Sequence, residues 1–147
     1  MTISAKSKYA VRALVELAER SAGDDQRPVR LTDIAAARGM PLQFLEQVFA
    51  VLRRVGIVRG RRGARGGYVF ARPPQHVTVL DVVAALDGLP EPAVCTRGDC
   101  AQADACGAAS VWLEAKRALE NVLGGTTIAD LVEREAAGAA REAMYHI

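Results

Sequence analysis

Between Leu31 and Phe70 the sequence LTDIAAARGMPLQFLEQVFAVLRRVGIVRGRRGARGGYVF changes its periodicity twice. Leu31, Ile34 and Ala35 share one side of a short predicted helix, and Gly39 supplies a tight turn after it. Pro41 suits the first turn of a second helix, where the N–H it lacks would have no partner. In that helix Leu45, Val48, Phe49 and Leu52 recur at helical spacing, leaving Gln43, Glu46, Gln47, Ala50 and Arg54 as the opposite stripe. Ile57-Val58-Arg59 and Tyr68-Val69-Phe70 then read as two short strands joined by GRRGARGG. Helix, turn, helix and hairpin in this order predict a winged helix-turn-helix.

A polar stripe alone is the solvated side of any amphipathic helix, so the charge that follows it decides the reading. From Val48 to Leu80 there is no Asp or Glu, but there are seven arginines: Arg53, Arg54, Arg59, Arg61, Arg62, Arg65 and Arg72. Such a surface repels itself until an anion arrives, and a phosphate backbone is the obvious anion. Amides and a carboxylate can in turn read base edges in a major groove. The expected partner is double-stranded DNA. Gln43, Glu46 and Gln47 would meet bases, while Arg54, Arg59, Arg61, Arg62 and Arg65 would grip phosphates and the minor groove. The four glycines at 60, 63, 66 and 67 suggest tight turning or close backbone approach.

The net charge of +2 hides a split. Residues 1–80 hold fourteen Lys/Arg against six Asp/Glu, and residues 81–147 hold five against eleven. A polyanion therefore belongs on the first half. Half the residues are hydrophobic but few are aromatic, which favours a helical core of Ala, Val and Leu. The N-terminus carries scattered charge and no apolar core of a secretory signal, and no stretch has the length of a membrane span. A soluble, cytoplasmic protein is expected. Nothing resembles a catalytic His–carboxylate arrangement or a nucleotide-binding glycine loop, so an enzyme is not expected.

Around the winged unit, Ala10, Ala13, Leu14, Leu17 and Ala18 predict a first helix over residues 4–20, with Ser4 or Ser7 at its start. Its charges, Glu16 among them, are expected on the solvated side. Thr78 and Asp81 form a capping-box variant before VLDVVAALDG, whose Val79, Val82, Val83 and Leu86 face inward and whose Gly88 ends the helix. From Cys106 to Leu123 the stripe Val111, Trp112, Ala115, Ala118, Leu119, Val122 and Leu123 is broader than one small domain covers, which suggests a symmetric dimer. Gly124-Gly125 breaks that helix, Thr126 or Thr127 caps a last one, and the alanine-rich tail past Ala136 is expected to fray. The fold class is mainly α: residues 1–88 form the DNA-binding winged domain with a small β-hairpin wing, residues 89–106 a cysteine loop, and residues 107–147 a long dimerisation helix and a C-terminal helix.

Cys95, Cys100 and Cys106 stand in a C-x4-C-x5-C pattern across the irregular loop. An odd number of thiols in a reducing compartment points to metal or redox chemistry rather than to a disulfide framework. Spacing alone leaves a metal site, a thiol switch and incidental thiols all open.

The runs SAKSKYAVRALVELA, LTDIAAARGMPLQFLEQVFAVLRRVGIV, RGRRGARGGYVFARP, VTVLDVVAALDG, the three-cysteine loop and TTIADLV together resemble the family of winged-helix regulators that includes IscR and NsrR. The likeness runs through Val132. It implies a homodimeric transcription factor, most simply a repressor, on an inverted-repeat operator. It further implies that Cys95, Cys100 and Cys106 hold an iron–sulfur cluster, 2Fe–2S or 4Fe–4S, that senses redox, iron or nitric oxide status. A cluster-free thiol-switch repressor of the same fold is the alternative. The chain departs from the family pattern in its first cysteine gap, one residue shorter, and in its fourth ligand. Ala109 stands where IscR-like members have a histidine, and Lys8 where NsrR-like members have an aspartate, so that ligand stays unassigned.

Overall fold

The computed structural model describes residues 2–23, 27–93, 96, 100–102 and 105–146. Among the described residues, six α-helices and one two-stranded sheet follow in the order α1 (Ala5–Arg20), α2 (Leu31–Arg38), α3 (Leu42–Arg54), β1 (Val58–Arg61), β2 (Gly67–Phe70), α4 (Val79–Asp87), α5 (Gly107–Gly124) and α6 (Ile128–Tyr145), with a 3₁₀ turn at Pro74–His76. This is the expected mainly helical winged architecture.

The central element is α1. Ser4 caps it by accepting from the Ser7 N–H, and Ala10, Ala13, Leu14, Val15 and Leu17 are buried. Helices α2, α3, α4 and α6 all pack around it. In α2, Ile34 and Ala35 turn inward, and Gly39 follows at φ 61°, a left-handed position that costs glycine no Cβ clash. Pro41 lies in extended conformation just outside α3. Leu45, Phe49 and Leu52 are 0% exposed and Val48 2%. Burial of each contributes roughly 2 kcal/mol of gross hydrophobic stabilisation.

Both expected caps form, and they meet. Thr78 accepts from the Asp81 N–H at 3.1 Å while Asp81 accepts from the Thr78 N–H at 2.9 Å, and Thr127 and Asp130 repeat the arrangement. Thr78 and Thr127 form an antiparallel bridge, with Val79 N–H to Thr126 O and Ile128 N–H to Val77 O both at 2.9 Å. The fully buried Ile128 joins α6 to the core of the winged domain. The tail is helical to Tyr145 rather than frayed, because its Ala, Glu and Arg residues are strong helix formers.

Glu16 also differs from expectation: it is buried, not solvated. Its Oε2 accepts from Arg38 Nε at 2.7 Å and its Oε1 from Arg20 Nε at 2.6 Å. Arg38 further reaches Glu19 at 3.0 Å and Glu135 at 2.9 Å, so one guanidinium joins α1, α2 and α6. Burial pushes the Glu16 carboxyl up, but the hydrogen bonds from Arg38 and Arg20 outweigh it and hold the group below its ordinary value of 4.5. Asp87 behaves similarly. Burial raises it, yet hydrogen bonds from Ser4 and Ser7 prevail, tying the end of α4 to the start of α1.

Replacing Arg38 by Met leaves Glu16 with Arg20 alone and should cost about 1–3 kcal/mol in urea unfolding at neutral pH. Because the Glu16 titration is depressed in the fold, its contribution is complete above pH 4.5 and is lost as pH falls through the folded-state value. The stability gap between wild type and Arg38→Met should therefore narrow in acid, as urea midpoints across pH will show.

Candidate nucleic-acid interface

With its apolar side sealed, α3 presents Gln43, Glu46, Gln47 and Arg54 to solvent, as the sequence predicted. Tyr9 of α1 stacks edge-on against Phe44 at 5.5 Å between ring centroids, steadying the start of α3. Lys6 borders a shallow depression together with Gln47 and Phe44, so the first turn of α1 lies beside the polar stripe.

After α3, Gly56 at φ 75° turns the chain, and the Ile57 N–H closes onto Leu52 O at 2.9 Å. The strands pair antiparallel, Val58 with Phe70, Arg59 with Val69, Gly60 with Tyr68 and Arg61 with Gly67. Val58, Val69 and Phe70 are buried, while Arg59, Arg61, Arg62 and Arg65 are exposed. The Tyr68 ring meets Phe49 edge-on at 5.0 Å, which fastens the wing to α3. Arg72 pairs with Asp81 at 3.1 Å and so serves the fold at the wing's exit.

Sequence reasoning missed a third partner of the wing. Val29 and Tyr68 exchange two backbone hydrogen bonds, Val29 N–H to Tyr68 O at 2.9 Å and Tyr68 N–H to Val29 O at 2.8 Å. An isolated Val after Pro28 gave little signal of a strand. This bridge explains one of the wing glycines. A Cβ on Gly67 would lie 2.6 Å from the Val29 carbonyl carbon, so the close approach is to the protein's own backbone. At Gly63, φ 110° and a hydrogen bond from the Gly66 N–H at 2.9 Å mark a tight turn. The face of the wing toward the end of α3 holds an open cleft of about 340 Å³ lined by Arg53, Gly60, Arg61, Arg62, Gly67 and Tyr68. Its lining contains no carboxylate. The stripe of α3 and the basic wing are thus joined through the end of α3.

Of the three cysteines, Cys95 lies outside the described residues. Cys100 is half-buried and Cys106, at the start of α5, is exposed; both are free thiols. Soft thiol donors on one connection are chemically suited to iron and sulfide. Among the described residues no three His, Cys, Asp or Glu side chains gather as a metal site. Among side chains with a donor atom for a fourth ligand, Asp99 and Asp104 also lie outside the described residues, Ser110 donates to Gly107 O at 3.0 Å, and His146 ends α6. Lys116 of α5 binds Glu91 at 2.6 Å, and Glu91 accepts from the buried Thr96 hydroxyl, which fastens the described part of the loop to α5. In α5 only Ala109 is buried, and Val111, Trp112, Leu113 and Val122 stand exposed. Among the described residues no helix is long and apolar enough to cross a membrane.

Fold and charge together define a winged helix-turn-helix protein with a basic wing. Residues 3–134 match the Rrf2 family model, described as an iron-dependent transcriptional regulator. The chain is 38% identical over 136 residues to a protein of Mycobacterium tuberculosis named as an HTH-type transcriptional regulator, Rv1287, covering 89% of this chain and 81% of that one. Among solved structures, T. potens IscR has a TM-score of 0.70 at 34% identity, covering 92% of this chain and 88% of that one. CymR, the global cysteine regulator of B. subtilis, has a TM-score of 0.74 at 32% identity, covering 91% and 98%. The chain belongs to the Rrf2 family and is a transcriptional regulator, not an enzyme.

Replacing Gly67 by Ala should drive the wing off Val29. Hydrogen exchange is expected to show lost protection at the Val29 and Tyr68 amides while the amides of α1 keep theirs.

Proposed function

We propose that the chain is a homodimeric DNA-binding repressor whose grip on an inverted-repeat operator is set by its cysteine loop. The observation that carries this reading is the continuity of α3's exposed stripe with an acid-free arginine wing. The amides of Gln43 and Gln47 suit adenine edges, and the Glu46 carboxylate accepts from cytosine. Arg54, Arg59, Arg61, Arg62 and Arg65 neutralise phosphates and enter the minor groove. The apolar residues that α5 leaves exposed suit a second copy of the same helix. That pairing sets two α3 helices against half-sites about 34–36 Å apart. In this scheme residues 1–88 bind DNA, 89–106 sense, and 107–147 join the copies.

Cys95, Cys100 and Cys106 would hold an iron–sulfur cluster, 2Fe–2S or 4Fe–4S, which when bound supplies a cross-link sensitive to oxidant, iron supply or nitric oxide. The family's description as iron-dependent supports this. Glu91 and Lys116 connect the loop to α5, so a change in loop order reaches the helix that spaces the two reading surfaces. A second reading, a cluster-free thiol switch, is favoured by the accessible thiols of Cys100 and Cys106 and by the likeness to the cysteine regulator CymR. Anaerobic purification with iron and sulfide assays separates the two.

Arg62→Ala should weaken duplex binding and lower the slope of log K against log salt by about 0.9. An unchanged slope removes the wing from the interface. Cys100→Ala should abolish iron and sulfide uptake while sedimentation still shows a dimer, and full iron content in that variant refutes the ligand assignment.

A further inference from the structure

Arg53 stands in the last turn of α3, next to Arg54, yet it lines the cleft opposite Arg61 and Arg62 of the wing. Among the described residues neither Arg53 nor Arg62 has a carboxylate partner. The remaining lining is Gly60, Gly67 and Tyr68, so the floor between the guanidinium groups is mostly bare backbone. A Cβ on Gly60 would meet nothing within 4 Å, and that space is open to solvent. Three arginines around one cleft with a low floor make an anion seat, and because the cleft is open to solvent it can admit a strand passing through it, where an enclosed cavity would take a small molecule.

The length of α3 says which anion. From Gln43 to Arg53 the helix rises about 15 Å at about 1.5 Å per residue. A major groove is about 12 Å wide. With Gln43, Glu46 and Gln47 at the base edges, the helix end has left the groove and lies above the sugar–phosphate ridge. The wing tip, Arg62 to Gly66, continues past that ridge to the neighbouring minor groove.

We infer that the cleft between the end of α3 and the wing seats the phosphodiester strand dividing the two grooves, and that Arg53 is a phosphate-binding residue closing it from the helix side. This rests on the DNA-binding reading above and adds one contact and one location to it. The competing role for Arg53 is purely local, a cation near the negative end of the α3 dipole. That role affects helix stability and leaves salt dependence alone.

The test titrates a short random-sequence duplex with wild type, Arg53→Gln, Arg53→Lys and, as a control on the exposed face of α6, Arg141→Gln, over a range of potassium chloride. Arg53→Gln should lower the slope of log K against log salt by about 0.9, and Arg53→Lys should restore it. Arg141→Gln should match wild type. A wild-type slope in Arg53→Gln overturns the inference, whether or not its melting temperature falls, and leaves the wider reading intact. Absence of any duplex binding by the wild-type protein overturns both. A loss of slope in Arg141→Gln equal to that in Arg53→Gln overturns the local seat in favour of diffuse charge.

Discussion

Leu45, Val48, Phe49 and Leu52 belong to the same buried cluster as Leu14 and Leu17 of α1, and that shared packing fixes α3 about its own axis. Successive helical residues are about 100° apart. A rotation by one residue would bring Phe49 toward water and press Glu46 or Gln47 into an apolar interior. The first change forfeits roughly 2 kcal/mol of burial and the second strands a polar group. The outward stripe therefore points in one direction. The wing inherits that direction because the ring of Tyr68 rests on Phe49. A surface of long polar and basic side chains is aimed by an apolar contact behind it.

Charge is distributed to match. Six arginines, Arg53, Arg54, Arg59, Arg61, Arg62 and Arg65, lie on α3 and the wing, and several acids elsewhere are committed to internal contacts. Glu16, Glu19 and Glu135 surround Arg38, Asp87 holds the start of α1, and Asp81 and Asp130 serve as caps. Carboxylates engaged in this way are kept off the surface where an incoming polyanion would meet them.

Much of this was legible in the chain, and the reasons are specific. The face of α3 was readable because four large apolar residues at helical spacing admit one interpretation, and the Thr78–Asp81 capping box was readable because a hydroxyl and a carboxylate three residues apart have a local meaning; at the last helix the sequence left Thr126 and Thr127 as alternative caps, and the structure adds Asp130 as the partner of Thr127. Contacts remote in sequence were not readable. Nothing near Glu16 announces Arg38, twenty-two positions away, so a glutamate on an amphipathic helix was assigned to water. Val29 carries no strand pattern, and its bridge to Tyr68 exists only once the wing folds back. The density of wing glycines was visible, but the body approached by Gly67 was not. Arg53 is adjacent to Arg54 in sequence, and only the fold separates their surroundings.

The paired caps at Thr78 and Thr127 bear on how the cysteine loop can vary. Helices α4 and α6 both start from that bridge, so residues 79–126, α4 and the cysteine loop included, form an excursion whose ends are tethered beside each other. For a tethered excursion, chain closure entropy changes slowly with length, by about 0.6 kcal/mol for a doubling. Gaining or losing a residue between the cysteines is then nearly free for the rest of the molecule. The shorter first interval of this chain, four residues between Cys95 and Cys100, is the kind of length drift such anchoring tolerates. The interval between two thiols can change length while the winged scaffold keeps every one of its own contacts.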